Sequence, residues 1–335
     1  PVLLCDDVVY GIVGEAFSKY LTRYGFHVFR VAFNGEASDN EINRVVSLAE
    51  KDGADLLIGL GGGKTIDSAK AIADLLEVPV VIAPTIASTD APTSALSVIY
   101  SPEGVFERYR FYTKNPELVL IDTNVIAHSP VRLLVSGIAD ALATWVEARA
   151  VIEAQGKTMV GDTPTIASEA IARACEATLF ENGLQALAAA NAKVVTPALE
   201  KVVEANTLLS GIGFESAGLA AAHAIHNGFT ALHGDIHTLT HGEKVAYGTL
   251  TQLLLENRPK EELDKYITFY KELGLPTTLK EVKLDTVPYE DLLKIGRLAT
   301  QDGEIIHQMV VQYTAEDVAN VLIALDHYGQ LNFNF

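Results

Sequence analysis

The chain is predicted to fold as an α/β unit with a mostly parallel sheet, followed by an all-α helical unit. Three observations predict it. Up to about Ile126, short apolar runs alternate with amphipathic ones. After Pro130 the strand signal stops, and long Ala/Leu/Glu/Lys-rich stretches take over. A glycine cluster, Gly59-Leu60-Gly61-Gly62-Gly63-Lys64, sits between an apolar run and a helical one. Alternation of this kind implies βαβ units. The second composition favours a helical bundle.

The elements come in this order. Residues 2–5 read as a strand, 14–23 as a helix and 27–32 as a strand. Asp39 is expected to cap a helix running to about Asp52. Residues 56–60 form the next strand, 65–76 a helix and 80–83 a strand. Residues 96–100 and 107–112, joined by Ser101-Pro102-Glu103-Gly104, have the pattern of a β-hairpin inserted among the loops. Residues 118–121 complete the strands. Beyond them 166–178, 197–209 and 318–327 are helical stretches, and no internal repeat is visible. The boundary is expected near 127–130, giving units of 1–128 and 129–335. A cleft between them is the default ligand site.

Composition narrows the function classes. At 335 residues the chain is long enough for two cores. A net charge of −18 opposes binding to nucleic acid or to an anionic membrane, which needs clustered Lys and Arg. The longest apolar runs are too short to span a bilayer. Asp6 and Asp7 come after only four apolar residues, which is no signal peptide. Cys5 and Cys175 are 170 positions apart, fit no metal or redox spacing, and read as small buried hydrophobes in a reducing cytoplasm. The chain begins in strand-like sequence without Met, which suggests a preceding segment.

The glycine cluster comes after a strand and opens a helix. Glycines let a phosphate approach the backbone, and a helix N-terminus offers free N–H groups. Gly63-Lys64-Thr65 resembles the end of a P-loop, but Ile58 stands where that loop needs glycine. Counted from Gly59, the common dinucleotide fingerprint would need its third glycine at Lys64. The setting favours a pyrophosphate, with a purely structural tight turn as the alternative.

Five of the nine histidines, His223, His226, His233, His237 and His241, lie within nineteen positions. A lone histidine on an apolar helix is usually a satisfied core residue, whereas five so close favour a metal site. Spacing does not say which of them bind. His223 and His226 are three apart on an Ala-rich helix, and His233, His237 and His241 are four apart. A catalytic site needs about three protein ligands and an open position. Asp140, an acid among small and apolar residues on a helix, is the best carboxylate candidate.

Five ordered motifs together resemble the glycerol dehydrogenases of the iron-containing alcohol dehydrogenase superfamily. They are Gly61-Gly62-Gly63-Lys64-Thr65-Ile66-Asp67, residues 84–94 (Pro84-Thr85-Ile86-Ala87-Ser88-Thr89-Asp90-Ala91-Pro92-Thr93-Ser94), Gly137-Ile138-Ala139-Asp140-Ala141, His223-Ala224-Ile225-His226-Asn227, and Thr240-His241-Gly242-Glu243-Lys244. The resemblance covers nearly the whole chain. It implies a dinucleotide-binding α/β domain and a helical domain, in a dehydroquinate synthase-like architecture, with a metal in the cleft. By motif the ligands are Asp140, His223 and His241, with His226 beside the nicotinamide and His233 and His237 in a loop. Superfamily members that hold iron usually carry a further histidine where Thr144 stands, a departure that fits the zinc-dependent glycerol branch; two His and one carboxylate also suit Fe²⁺. Ala217 stands where glycine is frequent, and the β-rich segment usual before residue 1 is not in this sequence.

For NAD, the resemblance implies that Gly63 and Lys64 contact the pyrophosphate and that Thr85 and Ser88 lie on the adenosine side. Ser94, Leu96 and Tyr100 would shape the nicotinamide pocket. Asp6 would face the adenosine ribose and repel a 2′-phosphate, so NAD is preferred over NADP. Asp90 would hydrogen-bond the polyol; without the family it reads as a turn residue before Pro92. The implied activity is oxidation of glycerol, and of related vicinal diols, to dihydroxyacetone-type products by a cytoplasmic homo-oligomer, an octamer. Dehydrogenation of a phosphorylated polyol such as glycerol 1-phosphate is the rival within the superfamily. It is opposed by the lack of any Lys or Arg from Val202 to Glu243. A nucleotide hydrolase and a non-catalytic nucleotide- or metal-binding protein are the rivals outside it.

Overall fold

The structure, a computed structural model, describes residues 1–330. Its strands are β1 (Val2–Cys5), β2 (Phe29–Ala32), β3 (Leu57–Gly61), β4 (Val80–Pro84), β5 (Leu96–Tyr100), β6 (Phe106–Phe111) and β7 (Leu118–Val119). Five of them form one parallel sheet in the order β2-β1-β3-β4-β7. All four side chains of β1 are buried, as expected of a central parallel strand covered on both faces. Val2 and Leu4 share a core with Ile42 and Val45 of helix Asp39–Asp52 and with Ile66 and Ala69 of helix Gly63–Leu76. Leu3 and Cys5 point the other way, onto Val13, Phe17 and Leu21. The chain leaves β1 toward β2 and returns on the opposite side at β3. That reversal opens a crevice at the carboxyl ends of β1 and β3, where ligands of such sheets bind.

Strands β5 and β6 pair antiparallel as the expected hairpin, with an irregularity at Ile99/Tyr100. Several boundaries differ from the sequence reading. The first helical segment begins at Asp7 rather than at 14, because Asp6 caps it and a π-turn at Tyr10–Gly14 accommodates two glycines that discourage a helix. Ser38, not Asp39, caps helix Asp39–Asp52: its Oγ accepts the Glu41 amide while its backbone is extended. The helix after the glycines begins at Gly63, two residues early, since nothing at Gly63 or Lys64 forbids helical dihedrals.

From Thr123 onward the described elements are helical. Helix Val131–Glu153 runs through the middle, with every residue from Leu134 to Ala148 buried. A helix buried on every side belongs inside a bundle. Helices Ile166–Asn191, Ala221–Phe229 and His241–Leu255 pack on it. The stretch 197–209 does not end where expected; a π-turn at Ala205–Leu209 carries it on to Ala217. Two glycines permit close approach: a Cβ on Gly137 would lie 1.8 Å from the Ala87 carbonyl oxygen, and one on Gly242 1.8 Å from that of Ser136. Among the described residues no single helix is long and apolar enough to cross a membrane.

Candidate metal and dinucleotide site

An outer cavity of about 750 Å³ lies at the carboxyl ends of the strands, lined by Asp6, Gly62, Gly63, Lys64 and Thr85. An inner cavity of about 280 Å³ continues from it, sharing Gly63, Lys64 and Leu133, and reaches His223, His226 and His241. Gly62 is extended at the start of helix Gly63–Leu76 and supplies no capping side chain, so the first N–H groups are available to an anion. Lys64 is half-exposed and its Nζ donates to Glu36 Oε2 at 2.6 Å. Asp6 reaches the outer cavity while its Oδ1 accepts the Val9 amide at 2.8 Å.

Ser94, Leu96 and Tyr100 line the inner cavity, and the structure shows what holds them. The buried Lys70 ammonium lies 3.0 Å from Asp67 Oδ1 and donates to the carbonyls of Ala91 (2.9 Å) and Leu96. Asp67 Oδ2 in turn accepts the Val98 amide. Ser88 lines the inner cavity, where its carbonyl accepts the Ser136 hydroxyl, while Thr85 lines the outer one.

At the far end of the inner cavity Asp140, His223 and His241 converge from three helices. Their ligand atoms all lie within 4.8 Å of one another. Asp140 Oδ1 is 2.9 Å from His241 Nε2 and 3.3 Å from His223 Nε2. Among the described residues Asp140 Oδ2, which is buried, has no hydrogen-bond partner. His241 is the first residue of its helix, fixed by a capping box between Thr240 and Glu243. Arg132 then binds both Glu243 oxygens, at 2.7 and 2.6 Å. His233 lies in the loop and His237 in the 3-10 turn Asp235–Thr238, where its Nε2 meets the Leu232 carbonyl at 2.6 Å. His226 is buried with its ring 4.2 Å from that of His241.

The sequence reading does not single out Glu147. It is fully buried, and its Oε2 accepts from His223 Nδ1 at 2.6 Å. Its Oε1 accepts the amides of Ala220 and His223, both at 2.9 Å, at a helix N-terminus that has no side-chain cap of its own. The only available signal is an acid seven positions after Asp140, on the same helix face. With Nδ1 donating to Glu147, Nε2 is the ring nitrogen of His223 that faces Asp140 and would ligate a cation once its own proton is displaced, as in carboxylate–histidine–metal triads.

The charges agree with a site built for a cation. Burial alone would raise the Asp140 pKa, but His241 and His223 outweigh it and hold the carboxyl well below its usual range. Burial would lower the His223 pKa, but Glu147 and Asp140 more than reverse this. His226 is held neutral by burial first and then by the charges of His241 and Lys244. Asp90 borders the same cavity, and burial together with the Asp140 charge pushes its pKa up to about 8. Its Oδ2 accepts the Ser210 hydroxyl at 3.0 Å.

This chain is similar to known proteins over nearly its whole length. A family profile described as iron-containing alcohol dehydrogenase matches residues 1–123. A Thermotoga maritima protein named glycerol dehydrogenase is 49% identical over 333 residues, covering 99% of this chain and 90% of its own. A Halobacterium salinarum protein named glycolaldehyde reductase is 46% identical, covering 98% of this chain and 90% of its own. The crystal structure of glycerol dehydrogenase from Schizosaccharomyces pombe superposes with a TM-score of 0.95 at 47% identity, covering 98% of this chain and 83% of that one.

Proposed function

Since this chain belongs to the iron-containing alcohol dehydrogenase family, we propose that it catalyses the NAD-dependent oxidation of glycerol to dihydroxyacetone, and of related vicinal diols. One observation carries the reading: two histidines and a carboxylate meet within 4.8 Å at the end of a cleft whose other end is a helix N-terminus behind glycines. The resemblance to glycerol dehydrogenases in sequence and structure supports it.

The donor set fits a divalent cation. Among the described residues Asp140 keeps an unpartnered buried oxygen, His223 is oriented by Glu147, and three protein ligands would be the number a catalytic cation needs. Zn²⁺ is the proposed ion, with Fe²⁺ compatible with the same donors. When bound, the cation supplies Lewis acidity toward a substrate hydroxyl, and NAD supplies the hydride acceptor. The remaining roles belong to the chain. Asp90 accepts a hydrogen bond from a second hydroxyl and so selects a diol. Leu96 and Tyr100 flank the pocket and exclude water from it. Gly63 and Lys64 receive the pyrophosphate, Thr85 lies on the adenosine side, and Asp6 accepts from the ribose. Ser88 and Ser94 line the nicotinamide end. Among the described residues, the only Lys or Arg lining the inner cavity is Lys64, engaged by Glu36 at the cofactor end, which disfavours a phosphorylated polyol. Residues 1–128 serve as the dinucleotide unit and the rest as the metal unit of a cytoplasmic homo-oligomer.

The test is NADH formation from glycerol, 1,2-propanediol, ethanol and glycerol 1-phosphate, with and without a chelator. Glycerol and 1,2-propanediol should give the highest kcat/KM, abolished by the chelator and restored by zinc. Ethanol equal to glycerol, or glycerol 1-phosphate above it, would overturn the proposal.

A further inference from the structure

A line of buried hydroxyls runs behind Asp90. Thr144 Oγ1 lies 2.8 Å from Ser210 Oγ, which lies 3.0 Å from Asp90 Oδ2. Ser210 is 0% exposed and Thr144 1%. Ser210 gives its one hydroxyl hydrogen to Asp90 Oδ2, so its oxygen is left to accept from Thr144, and this sets the direction of the line. Hydrogen bonds in series polarise one another, and the last donor is the stronger for it.

The fold holds this donor to Asp90 firmly. Ser210 comes directly after the π-turn Ala205–Leu209. One extra residue in a helical turn shifts the phase of the next segment by about 100°. The π-turn and the segment after it grip the loop carrying Asp90 at three points. The Thr207 carbonyl accepts Thr93 Oγ1 at 2.8 Å, Ser210 donates to Asp90, and Glu215 Oε1 accepts the Ala95 amide at 2.7 Å. Gly211 lets the segment sit against the loop, since a Cβ there would lie 2.0 Å from Thr93 Oγ1 and 2.8 Å from the Asp90 carbonyl. Gly213 makes room for the Thr144 methyl, which a Cβ would approach to 2.7 Å. Thr144 is therefore locked, and so is its hydroxyl.

We propose that Ser210, backed by Thr144, is a positioning residue that aims the Asp90 carboxylate at the second hydroxyl of a vicinal diol and thereby sets the preference for diols over monohydric alcohols. The inference rests on the reading in which Asp90 contacts the polyol. It adds that Asp90 alone is insufficient, and that two residues that do not line the cavity share in specificity.

The experiment compares 1,2-propanediol with 1-propanol, which differ by one hydroxyl. Ser210→Ala should lower kcat/KM for the diol about tenfold, the upper end of what one buried hydrogen bond contributes. The loss should fall on KM, and kcat/KM for 1-propanol should change less than about twofold. Thr144→Val should act the same way more weakly, and Thr144→Ser should restore the diol preference. Bound zinc, NADH affinity by fluorescence and Tm are measured on every variant, and the Thr144 pair carries the test if Ser210→Ala does not fold. Asp90→Asn separates the two ideas. In that background Ser210→Ala should add nothing to the diol-to-monool ratio. If Asp90→Asn lowers the ratio while Ser210→Ala and Thr144→Val leave it unchanged, or if the losses simply multiply, the positioning role is wrong and the Asp90 reading stands. If Asp90→Asn itself leaves the ratio unchanged, both fall.

Discussion

Replacing Glu147 by Gln should weaken metal binding without disturbing the fold. Glu147 uses both oxygens: Oε1 accepts two backbone amides at 2.9 Å, and Oε2 accepts His223 Nδ1 at 2.6 Å. In Gln the amide oxygen must stay on the two backbone donors, because turning the NH₂ toward them would set donor against donor. The NH₂ then faces Nδ1 and requires it to be an acceptor. That places the proton of His223 on Nε2, the nitrogen that points at Asp140. The histidine would have to change tautomer, or lose the bond, before it could ligate. Loss of such an outer partner typically costs 10–100-fold in metal affinity, about 1.4–2.8 kcal/mol. The assay is competition for zinc against a fluorescent chelator of known affinity at fixed pH, with circular dichroism as the control for folding. A zinc Kd within about twofold of the unmodified protein, in a folded variant, would show that Glu147 does not orient His223 and would refute the reasoning.

Asp6→Ser should narrow the gap in kcat/KM between NAD and NADP, since it removes the charge facing the outer cavity while keeping an oxygen to cap the Val9 amide; initial rates with both cofactors check it. Gly137→Ala should destabilise the protein by more than about 2 kcal/mol, because its Cβ would meet the Ala87 carbonyl at 1.8 Å and Asn206 Nδ2 at 2.5 Å; chemical denaturation measures it. Glu41 gives a pH dependence. Burial would raise its pKa, but hydrogen bonds from Arg44 and Asn34 outweigh this and hold it below the usual value. A depressed folded pKa contributes stability above the unfolded value of about 4.3 and loses it as pH falls through the folded value. Glu41→Gln should therefore cost stability at pH 7, and the difference from the unmodified protein should shrink below about pH 4 in thermal melts.

The alternation of strand and helix was legible because it is a local property. A buried parallel strand such as Val2–Cys5 is a short apolar run, and the helices beside it repeat at 3.6 residues whatever lies around them. The glycines before Gly63 and the isolated acid Asp140 were legible for a related reason: each is chemically out of place in its own neighbourhood. Local signals also misled. Ser38 and Asp39 are both good caps, and only the backbone conformation decides between them. The π-turns at Tyr10–Gly14 and Ala205–Leu209 have no periodic signature, so the elements on either side were cut short.

The chain by itself thus determined the order of its elements, its net charge of −18, and the residue types able to hold a metal and a phosphate. Tertiary structure decided which of five histidines meet Asp140, and it alone revealed Glu147, Ser210 and the Asp67–Lys70 pair as the groups that aim the others. The physical reason is distance along the chain. Glu147 finds His223 across 76 positions and Ser210 finds Asp90 across 120. Periodicity and propensity act over a few residues. A hydrogen bond between remote side chains exists only once helices have packed and brought the two into reach.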